Sequence, residues 1–238
     1  AFSPTHGARR QYGVLPMVGS RIVRFGLLLA LSLVGAGRAA AQDPSEDEYE
    51  VMLEDAQRKL QKGELTSAEA ALQEILDAAA EEPEGSRPQA STVEVANVLL
   101  CDIAQRTGKY EEARDGLLAL GPAVLARRGA ALLYAQVLAR LGDYDRGIAS
   151  LQRLVAADPT DVQVRYELAD LCARAGRRAE ARTLWEQNAA AKRPDDALQL
   201  AYLGRSLWRL GGRQNFETAS QVLVDSLSKA PDRPEARD

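Results

Sequence analysis

Along residues 134–155 the apolar positions fall at helical spacing in two runs. Tyr134, Leu138 and Leu141 form the first, and Ile148, Leu151, Leu154 and Val155 form the second. Apolar side chains three and four residues apart predict two amphipathic helices. The break between them reads Gly142-Asp143-Tyr144. A glycine there suits the left-handed residue that ends a helix, and the aspartate after it can cap the amides that open the next. Pro159 then stops the second helix, so the stretch reads as a helical hairpin. No run of the chain alternates convincingly with period two, and alanine, leucine, glutamate and arginine dominate. The fold is therefore expected to be all-α.

The hairpin recurs. Corner glycines stand at Gly63, Gly108, Gly142, Gly176 and Gly211, spaced by 45, 34, 34 and 35 residues. Seven residues before each comes a small residue: Ala56, Cys101, Ala135, Ala169 and Gly204. Five after the first four come Ala68, Ala113, Gly147 and Ala181, and Ala219 follows in the last copy after three extra residues. Helices joined by so short a turn must cross where neither carries bulk. Four residues beyond the second small position stand Leu72, Leu117, Leu151, Trp185 and Leu223. A lone hairpin cannot bury these side chains, but a stack of hairpins can.

A helix-turn-helix unit of about 34 residues with this pattern of small residues, glycine and a late proline resembles the tetratricopeptide repeat family. The resemblance implies an α-α superhelix, a solenoid of about five hairpins near residues 49–82, 94–127, 128–161, 162–196 and 197–233. Residues 234–238 resemble the opening of a sixth copy. No copy has the family's tryptophan at the fourth position, the first copy lacks the terminal proline, and EEPEGSRPQAS separates copies one and two.

The first 41 residues differ chemically from the rest, with five of the thirty basic residues and none of the thirty-four acidic ones. Arg21 and Arg24 precede the apolar run FGLLLALSLVGAG, and Ala39-Ala40-Ala41 follows it. This predicts an export signal over residues 17–41, starting at Met17 and cut after Ala41, since the run is shorter than the roughly twenty residues of a membrane span. Residues 1–16, which hold the only histidine, His6, are expected to lie upstream of the native start. An acidic leader over 42–48 is expected to follow the cut. The product would be periplasmic or extracellular in a bacterium, with no membrane span. It would carry 25 basic against 34 acidic residues, a net charge of −9, which argues against nucleic-acid binding.

A chain without histidine after the cut excludes His-based triads and most zinc sites. The Ser226/Lys229 S-x-x-K pair has no companion motif and is expected on a solvated helix face. Cys101 and Cys172 fall on first helices two repeats apart, roughly 16–20 Å at two interhelix steps, too far for a disulfide. No catalytic, metal or cofactor site is therefore expected, and the chain is read as a non-enzymatic scaffold.

One pattern is sharper. Arg106, Arg140, Arg174 and Arg209 each stand two residues before a corner glycine, with Gln61 in the first copy. The resemblance implies that this repeat position faces a concave ligand groove, together with Asp102, Gln136, Asp170, Tyr166, Arg205 and Trp208. Two readings are open: a row of cations for an acidic peptide or partner protein, or cations that each favour the carbonyl end of their own helix by about a few tenths of a kcal/mol. Trp208 reads either as an exposed anchor or as a side chain buried against the last helix. The expected function is an exported scaffold that binds a peptide or partner protein in its groove. The alternative is the recognition region of a longer exported enzyme, for example a peptidase.

Overall fold

The computed structural model describes residues 46–231 apart from 82, 84 and 85. These belong to the second of two units into which the chain divides, Ala1–Gln42 and Asp43–Asp238. The expected upstream segment (1–16), the export signal (17–41) and the start of a sixth repeat (234–238) lie outside the described residues.

The described residues form eleven helices and no strand. They are α1 (Glu46–Lys62), α2 (Leu65–Glu81), α3 (Ala90–Arg106), α4 (Tyr110–Ala119), α5 (Pro122–Leu125) and α6 (Arg128–Leu141), then α7 (Tyr144–Ala157), α8 (Val162–Arg174), α9 (Arg178–Ala190), α10 (Ala197–Leu210) and α11 (Arg213–Lys229). Five hairpins result: α1/α2, α3/α4, α6/α7, α8/α9 and α10/α11.

The hairpin corners follow from backbone chemistry. All five corner glycines have φ between 71° and 82°. A methyl group built on any of them would meet nothing within 4 Å, so the left-handed backbone and not crowding requires glycine there. At Gly142 the Asp143 amide returns to the Leu138 carbonyl at 2.9 Å, and the Asp143 carboxylate accepts from the Arg146 amide, capping α7. Gly147 and Gly204 serve a different purpose, since a Cβ would stand 2.8 Å from Leu171 Cδ2 at the first and 2.7 Å from Leu223 at the second. Here close helix approach requires glycine. The expected crossing residues Ala56, Ala68, Ala113, Ala135, Ala169, Ala181 and Ala219 are all buried. Leu72, Leu117 and Leu151 fill the spaces between hairpins, whereas Trp185 and Leu223 are only partly covered.

Three features depart from the sequence expectation. Helix α1 starts at Glu46 and so absorbs the end of the segment read as a leader, while α3 starts at Ala90, before the expected opening of the second copy. Helix α4 is only 10 residues long. Gly121, at φ 84°, breaks it, and Pro122 opens the single turn of α5 with the ring geometry that favours a helix start. Ser226 is not on a solvated face: it is fully buried, and its hydroxyl donates to the Ala197 carbonyl at 2.6 Å. Lys229 instead donates to the Asp195 carbonyl at 2.8 Å.

Stacking gives the array its two sides. Each second helix packs on the first helix of the next hairpin, α2 on α3, α4 on α6, α7 on α8 and α9 on α10. First helices also pack directly on one another, α1 on α3, α3 on α6, α6 on α8 and α8 on α10, whereas second helices form no comparable row. The closer row is the concave side.

Two layers of the array are built differently. Around α6, α7 and α8 the core is aliphatic, with Leu132, Ile148, Leu151, Val164, Leu168 and Leu171. Between α8, α9 and α10 it contains a buried polar chain. Arg165, 9% exposed, donates from Nε to Asn188 Oδ1 at 2.8 Å, and the Asn188 amide donates to the Val162 carbonyl and to Ser206 Oγ. Ser206 donates to the Tyr202 carbonyl at 2.8 Å. Asp161 ties three first helices together: it caps α8 at the Val164 amide and accepts from Arg128 of α6 at 2.6 Å and from Gln199 of α10 at 3.2 Å.

Candidate binding groove

The four arginines of the repeating row sit at the carbonyl ends of α3, α6, α8 and α10, but they do not share one environment. Arg106 pairs with Asp102 at 2.9 Å and donates from Nη1 to the Leu60 carbonyl of α1 at 3.2 Å. Arg174 donates from Nη2 to the Ala139 carbonyl of α6 at 3.1 Å, and its guanidinium lies 5.7 Å from the Tyr144 ring centroid. Leu60 and Ala139 stand three residues before their own corner glycines, so the two bonds are the same contact made at different steps of the stack. Besides standing at their own helix ends, Arg106 and Arg174 each donate to a carbonyl of the preceding hairpin and clip neighbouring repeats together.

Arg209 reaches backwards as well. It pairs with Asp170 of α8 at 2.6 Å and lies 5.8 Å from the Trp185 ring centroid. A hydrogen bond with Tyr166 and the nearby Asp170 charge push its already high pKa further up. Arg140 differs from the other three. It is exposed and makes no hydrogen bond or ion pair with a described residue.

Arg140, Arg174, Gln136 and Asp170 line one hollow of about 300 Å³ on the concave side, so the structure brings these four expected site residues together. The other six lie elsewhere. Arg106, Asp102 and Arg209 are tied up in the ion pairs given above. Arg205 lies 5.7 Å from the Tyr202 ring centroid. Tyr166 departs from the expected groove exposure: it is only 8% exposed, because its ring packs on Tyr202 at 5.3 Å between centroids. Trp208 is 59% exposed and packs on Phe216, at the start of α11, with centroids 4.7 Å apart. It is thus outward-facing, yet outside the hollow.

Two polar lining residues were missed from sequence. Gln105 stands three residues before its corner glycine, the same repeat position as Trp208, and that signal was available. Glu167 carries no such signal, because its repeat position is not among those the resemblance assigns to the groove. Burial pushes the Glu167 carboxyl above its usual range, and the neighbouring Asp170 charge adds to this, while the Tyr202 hydroxyl and Arg205 act against it.

The hollow therefore offers an unpaired cation at Arg140 on α6 and, on the facing α8 wall, a cation already committed to a carbonyl at Arg174, the Glu167 carboxyl, and the Asp170 carboxylate paired with Arg209. Such a surface can hold an extended chain through one charge-assisted bond at Arg140 and amide contacts from Gln105 and Gln136. Neither cysteine adds chemistry. Both are buried free thiols, and burial pushes each up to about 11, far from the thiolate range of reactive cysteines.

Comparison with known proteins bears on the fold. Residues 135–197 match the sequence model of the tetratricopeptide repeat. A thermophilic tetratricopeptide repeat protein from Thermus thermophilus superposes with a TM-score of 0.58 at 14% identity, over 79% of this chain and 95% of its own. A tetratricopeptide repeat protein from Parabacteroides merdae ATCC 43184 aligns over 77% of this chain and 67% of its own, at 18% identity and a TM-score of 0.48. No curated protein matches in sequence. Residues 135–197 thus carry the tetratricopeptide repeat pattern, and the hairpin stack that continues it on both sides has the fold of the Thermus thermophilus repeat protein.

Proposed function

We propose that this chain is an exported, non-catalytic scaffold whose concave hollow holds an extended, carboxylate-bearing segment of a partner protein, with Arg140 as the anchoring cation. The observation that carries the reading is the contrast within the arginine row. Arg106, Arg174 and Arg209 are engaged within the fold, and Arg140 in the wall of the hollow is not. An exposed guanidinium with no internal partner is free to take a carboxylate in a bidentate bond. Export rests on the basic, acid-free segment over 17–41 and its apolar run.

The test is a titration of fluorescent acidic peptides against the chain beginning at Gln42. Arg140→Gln is expected to weaken binding at least about tenfold, or about 1.4 kcal/mol, with the melting temperature unchanged. Affinity should fall with added salt, as expected for an exposed ion pair. Equal affinity of wild type and variant would refute the anchor. Intact-mass measurement on the secreted product addresses export separately, and a mass that retains Phe25–Gly35 would refute it.

A further inference from the structure

We infer that the outer side of the array carries a second docking site, a cleft between α4 and α7 that takes an acidic amphipathic helix of a partner protein. The cleft encloses about 480 Å³. It lies where α4 ends at Ala119 and the single turn of α5 follows, with α7 as its long wall. Its floor and walls are apolar, with Leu118, 40% exposed, beside Leu125, Leu154 and buried Tyr134.

Charge decides the occupant. Arg146 and Arg153 of α7 line the cleft, and no carboxylate is among its described lining residues. Arg153 makes no ion pair or hydrogen bond with a described residue. Arg146 has only a long contact of 3.5 Å with Asp143, between two exposed side chains. This positive surface stands out on a chain whose residues from 42 onward carry a net charge of −9.

The two arginines are seven residues apart on one helix, so they lie on one face about 10.5 Å apart along its axis. A helix laid alongside α7 presents carboxylates at the same seven-residue separation and leucines between them at i+3 and i+4. Its leucines meet the apolar floor while its carboxylates meet the two guanidiniums. A single-headed anionic amphiphile would satisfy one arginine only. The site shares no residue with the concave hollow, so it stands independently of the function proposed above.

The experiment uses a fluorescent synthetic helix of about eighteen residues with glutamates at i and i+7 and leucines at i+3 and i+4, long enough to be helical when bound. A second peptide carries lysines in place of those glutamates. Wild type is expected to bind the glutamate peptide and not the lysine peptide. The double reversal Arg146→Glu and Arg153→Glu is expected to lose at least about tenfold for the first and to gain the second. Arg153→Gln provides the same test, as a partial loss, should the double reversal alter the thermal melt. Arg140→Gln should leave this binding unchanged. Equal binding by wild type and the reversed variant, loss on Arg140→Gln, or laurate occupying the cleft while the glutamate peptide does not bind would each overturn the proposal.

Discussion

The layer around α6, α7 and α8 and the layer between α8, α9 and α10 perform the same task with different chemistry. In the first, Leu132, Ile148, Leu151 and Leu168 interdigitate without a polar atom to satisfy. In the second, Arg165, Asn188 and Ser206 form a chain of directional bonds inside an otherwise apolar packing of Val162, Leu200 and Leu203. Apolar packing rewards volume and tolerates exchange of shape. Buried hydrogen bonds reward one geometry and penalise every loss of a partner. The difference teaches that repeat register can be held loosely at one step of the stack and strictly at the next.

The largest expected effect breaks the polar layer. Asn188→Leu keeps the volume but strands the Arg165 guanidinium and takes one bond each from Ser206 and the Val162 carbonyl, and it should cost about 3 kcal/mol in chemical denaturation. Adding Arg165→Met in the same chain should recover part of that loss, because the stranded charge is gone. A double variant no more stable than Asn188→Leu alone would show that Arg165 is not the source of the strictness. The corresponding exchange in the aliphatic layer, Leu151→Met, should cost less than about 1.5 kcal/mol. A loss there as large as that of Asn188→Leu would erase the distinction between the layers.

Much of the apolar layer was legible in the sequence, because its positions repeat. A glycine that must adopt positive φ, a small residue at a crossing and a leucine four residues later are each demanded by local geometry, and the demand returns with every hairpin. The polar layer was not. Asn188, Ser206 and Ser226 occur once each in their roles, and a lone serine or asparagine on a helix looks like solvent-facing surface until its neighbours are known. That is why Ser226 was expected on a wet face and is instead buried. Arg165 fills the repeat position of the family's missing tryptophan, and the sequence shows that absence but not the cation's partner in α9.

The same reasoning separates what was legible at the groove. The arginine row was visible as a repeat, and its members' positions at helix ends follow from the register. Their partners were hidden, because Leu60 and Ala139 offer backbone carbonyls that no side-chain pattern reveals. Tyr166 is covered by Tyr202, a residue of the next repeat, so its burial depends on a contact that crosses hairpins.

The closeness of the first helices, against the separation of the second ones, has a mechanical consequence. A stack whose members touch along one edge bends about that edge, as a spine flexes about its column of vertebral bodies. The concave row then acts as a nearly inextensible line, and the outer edge takes up most of any change in curvature. The spacing between α3 and α6 should hold while that between α4 and α7 breathes, a contrast measurable with paired spin labels on the two edges. A ligand seated between outer helices would act as a wedge that sets the curvature, and through it the breadth of the concave face.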